Sequence, residues 1–190
     1  MEILVIDVET KKTFNEIGSR DPSLLGVSYV GVYSYAEDRL FGFFESELDQ
    51  FWPYLHKAAV VIGYNIDAFD LPTLKNYYPG NLGQIKTLDL MKIIKEATGV
   101  RLGLDVVTKT TLGRGKIGHG LDAVRYYHEK RWEELAKYCL EDVAITRDLY
   151  EFMKNHGTIS YPDIDGKNII TVPVKVPEIK PPSIQQATLF

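Results

Sequence analysis

The stretch ILVIDVE at residues 3–9 decides the fold of this chain. Its aliphatic run before the first acid is typical of a central strand that is buried on both faces of a sheet. Asp7 and Glu9 stand two positions apart, so on a strand their side chains project to the same face. Two neighbouring anions are tolerated where a divalent cation lies between them. The alternative is a chance pair at an exposed sheet edge, because a chain this rich in acids contains about one such spacing by accident.

The segments that follow extend the sheet. Residues 25–35 and 40–44 are rich in Val, Tyr and Phe and predict two strands joined as an antiparallel hairpin. Residues 60–63 predict another short buried strand, and a short helix is expected after Asp70.

Helical spacing dominates the rest of the chain. Apolar residues recur at helical spacing in residues 45–57, and helices are also predicted at 88–98, 104–112, 120–130 and 131–155. Gly157 is a natural helix stop. This order of elements predicts an α/β fold in which a mixed sheet is flanked by helices.

Composition excludes several classes of protein. With 190 residues, a formal charge of −4 and 45% hydrophobic content, one compact domain is expected. The single cysteine, Cys139, excludes a disulfide framework and a cysteine-based zinc site. The longest apolar stretch, 58–62, is too short to span a membrane, and residues 1–4 lack the basic start of a secretory signal. A cytoplasmic protein without a membrane partner is therefore expected.

The composition changes after residue 157. Five of the nine prolines lie between residues 162 and 182. Residues 159–162 and 169–176 predict a small hairpin. We therefore expect three parts, listed here in chain order: a domain at 1–157, a β-hairpin extension at 158–176, and a Pro-rich linker with a C-terminal peptide at 177–190.

A second group of acids follows the strand that ends at Gly63. Asn65, Asp67 and Asp70 lie just beyond that strand, where open sheets bind ligands. The alternative is that Asp67 or Asp70 only caps the next helix, since aspartate is a preferred cap.

A third group, YCLED at residues 138–142, lies within the last predicted helix. Tyr138 and Asp142 are four residues apart and share a face. Leu135, Ile145 and Leu149 continue that face, so it is expected to point inward, where an aspartate is costly unless it is paired or binds metal. A tyrosine–aspartate hydrogen bond in an ordinary core is the alternative.

The order of these three groups resembles the motifs of the DEDDy-type 3′–5′ exonucleases, which belong to the ribonuclease H-like superfamily. Residues 63–72 look closest to the second motif of B-family DNA polymerase proofreading domains, and residues 138–142 to their third. Residues 111–121 together with the third motif resemble stand-alone bacterial exonuclease-like proteins. The resemblance covers about residues 1–155 and implies a ribonuclease H-like mixed five-stranded sheet flanked by helices.

The resemblance also implies a metal site and a mechanism. Two divalent cations, Mg²⁺ or Mn²⁺, would be held by four carboxylates: Asp7, Glu9, Asp70 and Asp142. Such a pair activates a water and stabilises the leaving 3′-oxygen of a phosphodiester. Asp7 would contact both ions, Glu9 and Asp142 the ion that activates water, and Asp70 the other. Tyr138 would orient the attacking water.

Two details of the motifs bear on this assignment. Asp67 is an alternative to Asp70, but the order Phe-Asp-x-Pro favours Asp70. The sister subfamily uses histidine one place before this tyrosine, where the chain has Lys137, and His128 lies too far away along the sequence. The tyrosine type is therefore expected.

Substrate contacts are expected beside these motifs. Thr10 could touch the backbone of the terminal nucleotide, and Asn65 could help to orient that end. Arg114 and Lys116, with Lys109, lie in or beside a glycine-rich stretch that could guide the phosphates of a single strand. A solvated loop is the alternative. His119 is expected on the surface.

The last five residues, QATLF at 186–190, resemble the peptide by which bacterial replication and repair enzymes dock onto the sliding clamp. Gln186, Leu189 and Phe190 would be its anchors. Alternatively, Leu189 and Phe190 pack onto their own domain.

The sequence thus favours a 3′–5′ exonuclease that releases nucleoside 5′-monophosphates from single-stranded or frayed DNA ends, in repair or replication. The same chemistry on RNA is an alternative. A non-catalytic nucleic-acid-binding or clamp-binding module is another, although the presence of all five motif residues argues against lost catalysis.

Overall fold

The computed structural model describes residues 1–115 and 120–179 of the chain. The strands of this part are β1 (Glu2–Thr10), β2 (Val27–Ser34), β3 (Arg39–Phe44), β4 (Ala58–Gly63), β5 (Thr87–Asp89), β6 (Thr158–Pro162) and β7 (Ile169–Pro173). Its α-helices are α1 (Phe14–Ile17), α2 (Leu48–Lys57), α3 (Asp70–Leu74), α4 (Leu90–Thr98), α5 (Leu104–Leu112), α6 (Asp122–His128) and α7 (Trp132–His156). None of these helices has the length and apolar composition needed to cross a bilayer.

Five strands form the central sheet, in the order β3-β2-β1-β4-β5. Strand β2 is antiparallel to both β1 and β3, whereas β4 runs parallel to β1 and β5 runs parallel to β4. The predicted α/β fold with a mixed five-stranded sheet flanked by helices is confirmed. Strand β1 lies in the middle, which explains why its sequence is aliphatic almost without interruption.

The two faces of β1 serve different cores. Leu4, Ile6 and Val8 pack in the core that includes residues of α2. Val5 packs instead in the core that contains residues of α4, α5 and α7. Because side chains alternate along a strand, Asp7 and Glu9 share the face of Val5 and are directed toward the α7 side.

Strand β5 corrects the prediction of a helix over residues 88–98. Thr87–Asp89 pair with β4, and the helix begins only at Leu90, with the Asp89 carboxylate accepting a hydrogen bond from the backbone N–H of Met91 at 3.0 Å. Three residues are too few to establish a period of two. Leu88 and Leu90 are both buried, and two apolar residues at this spacing do not distinguish the start of a helix from a short strand.

Helix α7 has the predicted inward stripe. Leu135, Tyr138, Asp142, Ile145 and Leu149 are each at most 5% exposed. The helix ends as predicted at Gly157, which adopts a left-handed conformation with a φ of 66°. Its N–H donates a hydrogen bond to the carbonyl of Met153 in the preceding turn.

The small hairpin of β6 and β7 packs against α5. Ile159 of β6 is fully buried in the core that contains Val5. The hydroxyl of Thr111 accepts a hydrogen bond from the Ser160 N–H and donates one to the Ser160 carbonyl, both at 3.0 Å. The division of the chain at residues 157 and 176 stays a prediction. Within the predicted linker and C-terminal peptide, residues 180–190 lie outside the described residues.

Candidate active site

The first pair of acids lies in the middle of the sheet. Asp7 pairs across the strands with Gly31, and Glu9 pairs with Tyr29. Both acids are half-buried, on the face of the sheet that α7 covers. The carboxylates therefore lie in a crevice between β1 and α7 rather than at an exposed sheet edge.

Gly31 allows α7 to approach that crevice closely. A Cβ atom at this position would lie 2.8 Å from Cγ2 of Val143 and 2.9 Å from the sulfur of Cys139. Such distances are shorter than any ordinary contact, so only glycine lets the helix lie this near to the strand. The consequence is that a turn of α7 sits directly over Asp7.

Cys139 is a residue of α7 that contacts Asp7. Its sulfur lies 3.5 Å from Oδ2 of Asp7 and 3.4 Å from the backbone carbonyl of the same residue. A carboxylate oxygen from each of Asp7 and Glu9 and the Cys139 sulfur all lie within 4.8 Å of one another. Burial raises the pKa of the Cys139 thiol well above its usual range, and the charges of Asp7, Glu9 and Asp142 raise that pKa further. The thiol is therefore protonated at neutral pH and donates toward Asp7.

Asp70 reaches the same strand from α3. It is 3% exposed at the start of α3, and its Oδ1 accepts a hydrogen bond of 2.8 Å from the backbone N–H of Val8, between the first two acids. Burial raises the pKa of the Asp70 carboxyl well above its usual range. The negative charge of Asp7 raises this pKa further, while the Val8 N–H opposes both effects. A cation beside Asp70 would offset these costs.

Asp67, the alternative to Asp70, has a different environment. Its carboxylate forms an ion pair with Lys92, and its backbone N–H donates to the carboxylate of Asp89. The structure therefore directs Asp70, and not Asp67, to the strand that carries Asp7.

Asp89 organises the loop that delivers Asp70. Its carboxylate accepts hydrogen bonds from the backbone N–H of Asn65 at 2.8 Å and from that of Asp67 at 3.3 Å. Asn65 has a positive φ of 69°, which turns the chain sharply after β4. Because Asp89 ends the short strand β5, sequence analysis had no pattern from which to identify this role.

The third motif lies on α7, the helix whose Cys139 contacts Asp7. Tyr138 is 5% exposed and Asp142 is 2% exposed, on the face of the helix that carries the buried stripe. Lys137, which occupies the position where the sister subfamily has histidine, is exposed. His128 lies away from these residues and is 3.5 Å from Glu16. All five motif residues therefore lie on the two elements that enclose the crevice or are hydrogen-bonded to β1.

The residues predicted to contact substrate are more scattered. The hydroxyl of Thr10, a residue that is 6% exposed, donates to the carbonyl of Lys12 at 2.9 Å, while Asn65 Oδ1 accepts from Arg101 at 3.2 Å. Arg114 forms ion pairs with Asp148 and Glu141 of α7, at 2.6 and 3.7 Å. Lys116 and His119 lie outside the described residues, as do the peptide residues Gln186, Leu189 and Phe190.

Several features of the site were not predicted from the sequence pattern. The glycine in the middle of β2, Gly31, was a usable signal, because a glycine within a strand often marks a close approach of another element. Phe14 is another feature that was not predicted. It is 38% exposed, and its ring contacts the ring of Phe69, the residue before Asp70, edge to face at a centroid distance of 6.2 Å. Nothing in the sequence pattern singled out Arg101.

The donor set fits divalent cations. Carboxylate oxygens are the ligands that Mg²⁺ and Mn²⁺ prefer. Asp7 and Glu9 lie together on β1, Asp70 reaches that strand from α3, and Asp142 is buried on α7. Cys139 adds a softer atom, but as a protonated thiol it serves as a hydrogen-bond donor to Asp7 rather than as a ligand.

The buried charge of Asp70 leads to a stability prediction. Asp70→Asn keeps an oxygen that can accept from the Val8 N–H but removes the charge that burial and Asp7 disfavour. Because the pKa of Asp70 is higher in the folded state, its ionised form costs stability above that pKa, and the cost vanishes below the unfolded-state pKa. In chelator at neutral pH, we expect the variant to melt higher than the wild type, by about 2–4 °C for each kcal/mol gained.

Calorimetry in chelator, repeated with Mn²⁺, measures this difference. The cation should raise the melting temperature of the wild type more than that of Asp70→Asn, because the variant has lost a ligand. A variant that melts lower than the wild type in chelator would contradict the assignment of Asp70 as a destabilising buried charge.

Comparisons with known proteins agree with this architecture. A family model described as the RNase_H superfamily matches residues 4–154, which extend from β1 through most of α7. The fold is similar to that of the family B DNA polymerase from the hyperthermophilic archaeon Pyrobaculum calidifontis, with a TM-score of 0.57 and 21% sequence identity. That similarity covers 81% of this chain and 24% of the polymerase chain. No curated protein sequence matches this chain.

Proposed function

Because the chain belongs to the RNase H superfamily, we propose that it is a metal-dependent 3′–5′ exonuclease that releases nucleoside 5′-monophosphates from single-stranded or frayed DNA ends. The superfamily fold and the similarity to a DNA polymerase support a nuclease function. The observation that carries the proposal is the approach of three separate acidic motifs to one crevice. The order of those motifs supports the 3′–5′ direction, and DNA repair or replication is the proposed setting.

Four carboxylates would hold two divalent cations: Asp7, Glu9, Asp70 and Asp142. When bound, such ions lower the pKa of an attacking water and stabilise the departing 3′-oxygen. The Val8 N–H holds Asp70 in place, and the Cys139 thiol restrains Asp7. Tyr138 would orient the attacking water through its hydroxyl.

Other residues would hold the nucleotide. The partly exposed ring of Phe14 beside Phe69 suits stacking with a terminal base. Arg101 is exposed and donates a hydrogen bond to Asn65, so its guanidinium suits a phosphate contact beside the loop that carries Asp70. Arg114 is already paired with acids of α7, so it is the weaker candidate for a phosphate contact, although it remains proposed together with Lys116.

A time course on 5′-labelled single-stranded DNA and on its RNA counterpart tests the proposal. Each substrate is incubated with Mg²⁺, with Mn²⁺ and with chelator. We expect a ladder that shortens from the 3′ end and requires metal, with DNA cleaved faster than RNA. A faster reaction on RNA would establish the exoribonuclease alternative. Binding of either strand without any cleavage would favour the non-catalytic module.

Tyr138 and Asp142 should differ in their effects. Asp142→Ala removes a proposed metal ligand, so we expect it to slow cleavage by about a thousandfold, whereas Tyr138→Phe removes one orienting hydroxyl and should cost about ten- to a hundredfold. Single-turnover rates at saturating Mg²⁺ measure both variants. The reverse order of effects would argue against an orienting role for Tyr138.

The peptide at residues 186–190 is proposed to dock onto a sliding clamp, on the basis of its sequence alone. Deleting residues 185–190 should remove clamp binding, measured by surface plasmon resonance, and leave cleavage of short oligonucleotides unchanged. If clamp binding survives the deletion, the peptide has another role.

A further inference from the structure

An aromatic pocket lies beside the crevice. It has a volume of about 390 Å³ and is lined by residues from the end of β3, the start of β2, the end of α6 and the start of α7, and by Glu45, Ser46 and Glu47, which follow β3. We call it the Trp132 pocket. The residues that matter here are Ser28, Phe44, Tyr127 and Trp132.

Three aromatic rings form one side of this pocket. The Trp132 ring contacts those of Phe44 and Tyr127 at centroid distances of 6.1 and 5.7 Å. Trp132 nevertheless remains 43% exposed, although indole is among the largest apolar surfaces that a protein can bury. An exposed tryptophan held by two other rings is typical of a surface that receives a planar ligand.

Ser28 supplies a second, independent indication of a ligand. It lies where the register of β1 and β2 shifts, since Glu9 pairs with Tyr29 and Thr10 pairs with Val27. Ser28 is 2% exposed, and its hydroxyl has no hydrogen-bond partner among the described residues. A buried hydroxyl without a partner is costly, and a polar group that enters the pocket can relieve this cost when the hydroxyl turns toward it.

The pocket lies next to the part of α7 that carries the third motif, because Phe44 and Tyr127 pack against the cluster that contains Tyr138 and Cys139. Ser28 stands opposite the step from Glu9 to Thr10 on β1. Trp132 precedes Tyr138 by six residues on α7, which is about 9 Å along the helix axis. Six residues of helix are a separation that a single strand can bridge, since extended chain spacings are of similar length.

The charged groups around the pocket are satisfied internally. Glu45 pairs with Lys11 and accepts from the Tyr77 hydroxyl at 2.9 Å, and Glu47 accepts from the backbone N–H of Phe44 at 2.9 Å. The Lys11 ammonium also lies 5.6 Å from the centre of the Tyr127 ring. Because Lys11 is already paired with Glu45, the aromatic rings rather than a free cation carry the fit to a base.

We propose that the Trp132 pocket receives a base of the single strand upstream of its 3′-terminal nucleotide. This inference rests on the proposed function, since it requires the 3′ end to lie at the acids. Stacking on Trp132 would hold the strand in register while the terminal nucleotide is removed. The exocyclic polar groups of the base would meet the Ser28 hydroxyl.

An abasic scan tests the proposal. Single-stranded DNA oligonucleotides that each lack one base, at successive positions from the 3′ end, are compared by fluorescence anisotropy in chelator and by kcat/KM in Mg²⁺. For the wild type, we expect one internal position at which loss of the base weakens binding and lowers kcat/KM by about tenfold. Trp132→Ala should cause a similar loss on the intact strand and make that position indistinguishable from its neighbours.

Two further variants serve as controls. Trp132→Phe retains a ring and should keep most of the position dependence. Phe152→Ala removes a partly buried aromatic ring near the other end of α7 and should behave as the wild type does. Circular dichroism shows whether each variant is folded.

The outcomes separate the pocket from the proposed function. A wild type that cleaves DNA but shows no position dependence, or a Trp132→Ala variant that keeps it, overturns the pocket alone. A wild type that binds with the expected position dependence but cleaves nothing overturns the nuclease and leaves the pocket. If Trp132→Ala instead changes only the oligomeric state measured by light scattering, the pocket is a protein interface and the proposal is wrong.

Discussion

Asp7→Ala is expected to abolish exonuclease activity, with a loss of about a thousandfold or more in the single-turnover rate. Asp7 lies opposite Gly31 in the middle of the sheet, contacts the Cys139 sulfur and raises the pKa of Asp70. Asp7 is proposed to be a ligand of both cations, and the loss of such a ligand would remove several kcal/mol of transition-state stabilisation. Cleavage of 5′-labelled DNA in Mg²⁺ measures the rate.

The matched control is Asp67→Ala. Asp67 belongs to the same acidic loop as Asp70, but its carboxylate pairs with Lys92 rather than reaching β1. Its removal should leave the rate within a few-fold of the wild type. We also expect metal-free Asp7→Ala to be at least as stable as the wild type, because a repulsive charge near Asp70 is gone. Full activity in Asp7→Ala, or inactivity in Asp67→Ala, would show that the ligands are assigned to the wrong acids.

Gly31→Ala is expected to disable the site without touching any of its acids. The added methyl group would lie 2.8 Å from Val143 and 2.9 Å from the Cys139 sulfur, so α7 has to move away from β1. Overpacking of this kind costs about 1–3 kcal/mol of folding free energy. Because Tyr138 and Asp142 move with the helix, we expect the cleavage rate to fall by about a hundredfold even in molecules that remain folded.

Gly103→Ala provides the comparison, since a Cβ atom there would meet none of the described residues within 4 Å. Urea unfolding gives the stability of both variants, and the rate is measured well below the unfolding transition. If Gly31→Ala is destabilised but cleaves as fast as the wild type, the distance between α7 and β1 does not control the chemistry.

The sequence was sufficient to predict the parts of the site that depend on local periodicity. Alternation along β1 predicted that Asp7 and Glu9 share a face, and helical spacing predicted that Tyr138 and Asp142 point inward; the structure has both arrangements. These predictions succeed because each depends on only a few consecutive residues of a long, regular element.

Local periodicity could not predict the features that depend on tertiary contacts. Strand β5 is too short to show a period, so the role of Asp89 in holding the loop before Asp70 was not foreseen. Arg114 was predicted as a phosphate guide, but only the folded chain brings Asp148 and Glu141 to it. A charge in a glycine-rich stretch does not reveal which other charges the fold will place beside it.

The hydrogen bonds at the crevice also bear on how the protein folds. The bond between Val8 and Asp70 joins positions 62 residues apart, and the contact between Cys139 and Asp7 joins positions 132 residues apart. Contacts of such sequence separation form late and slow the folding of a chain. The three acidic motifs are therefore far apart in the unfolded chain, and the repulsion between them arises only as these long-range contacts form. A divalent cation would accordingly act at the final step of folding, by relieving that repulsion as α7 closes over β1.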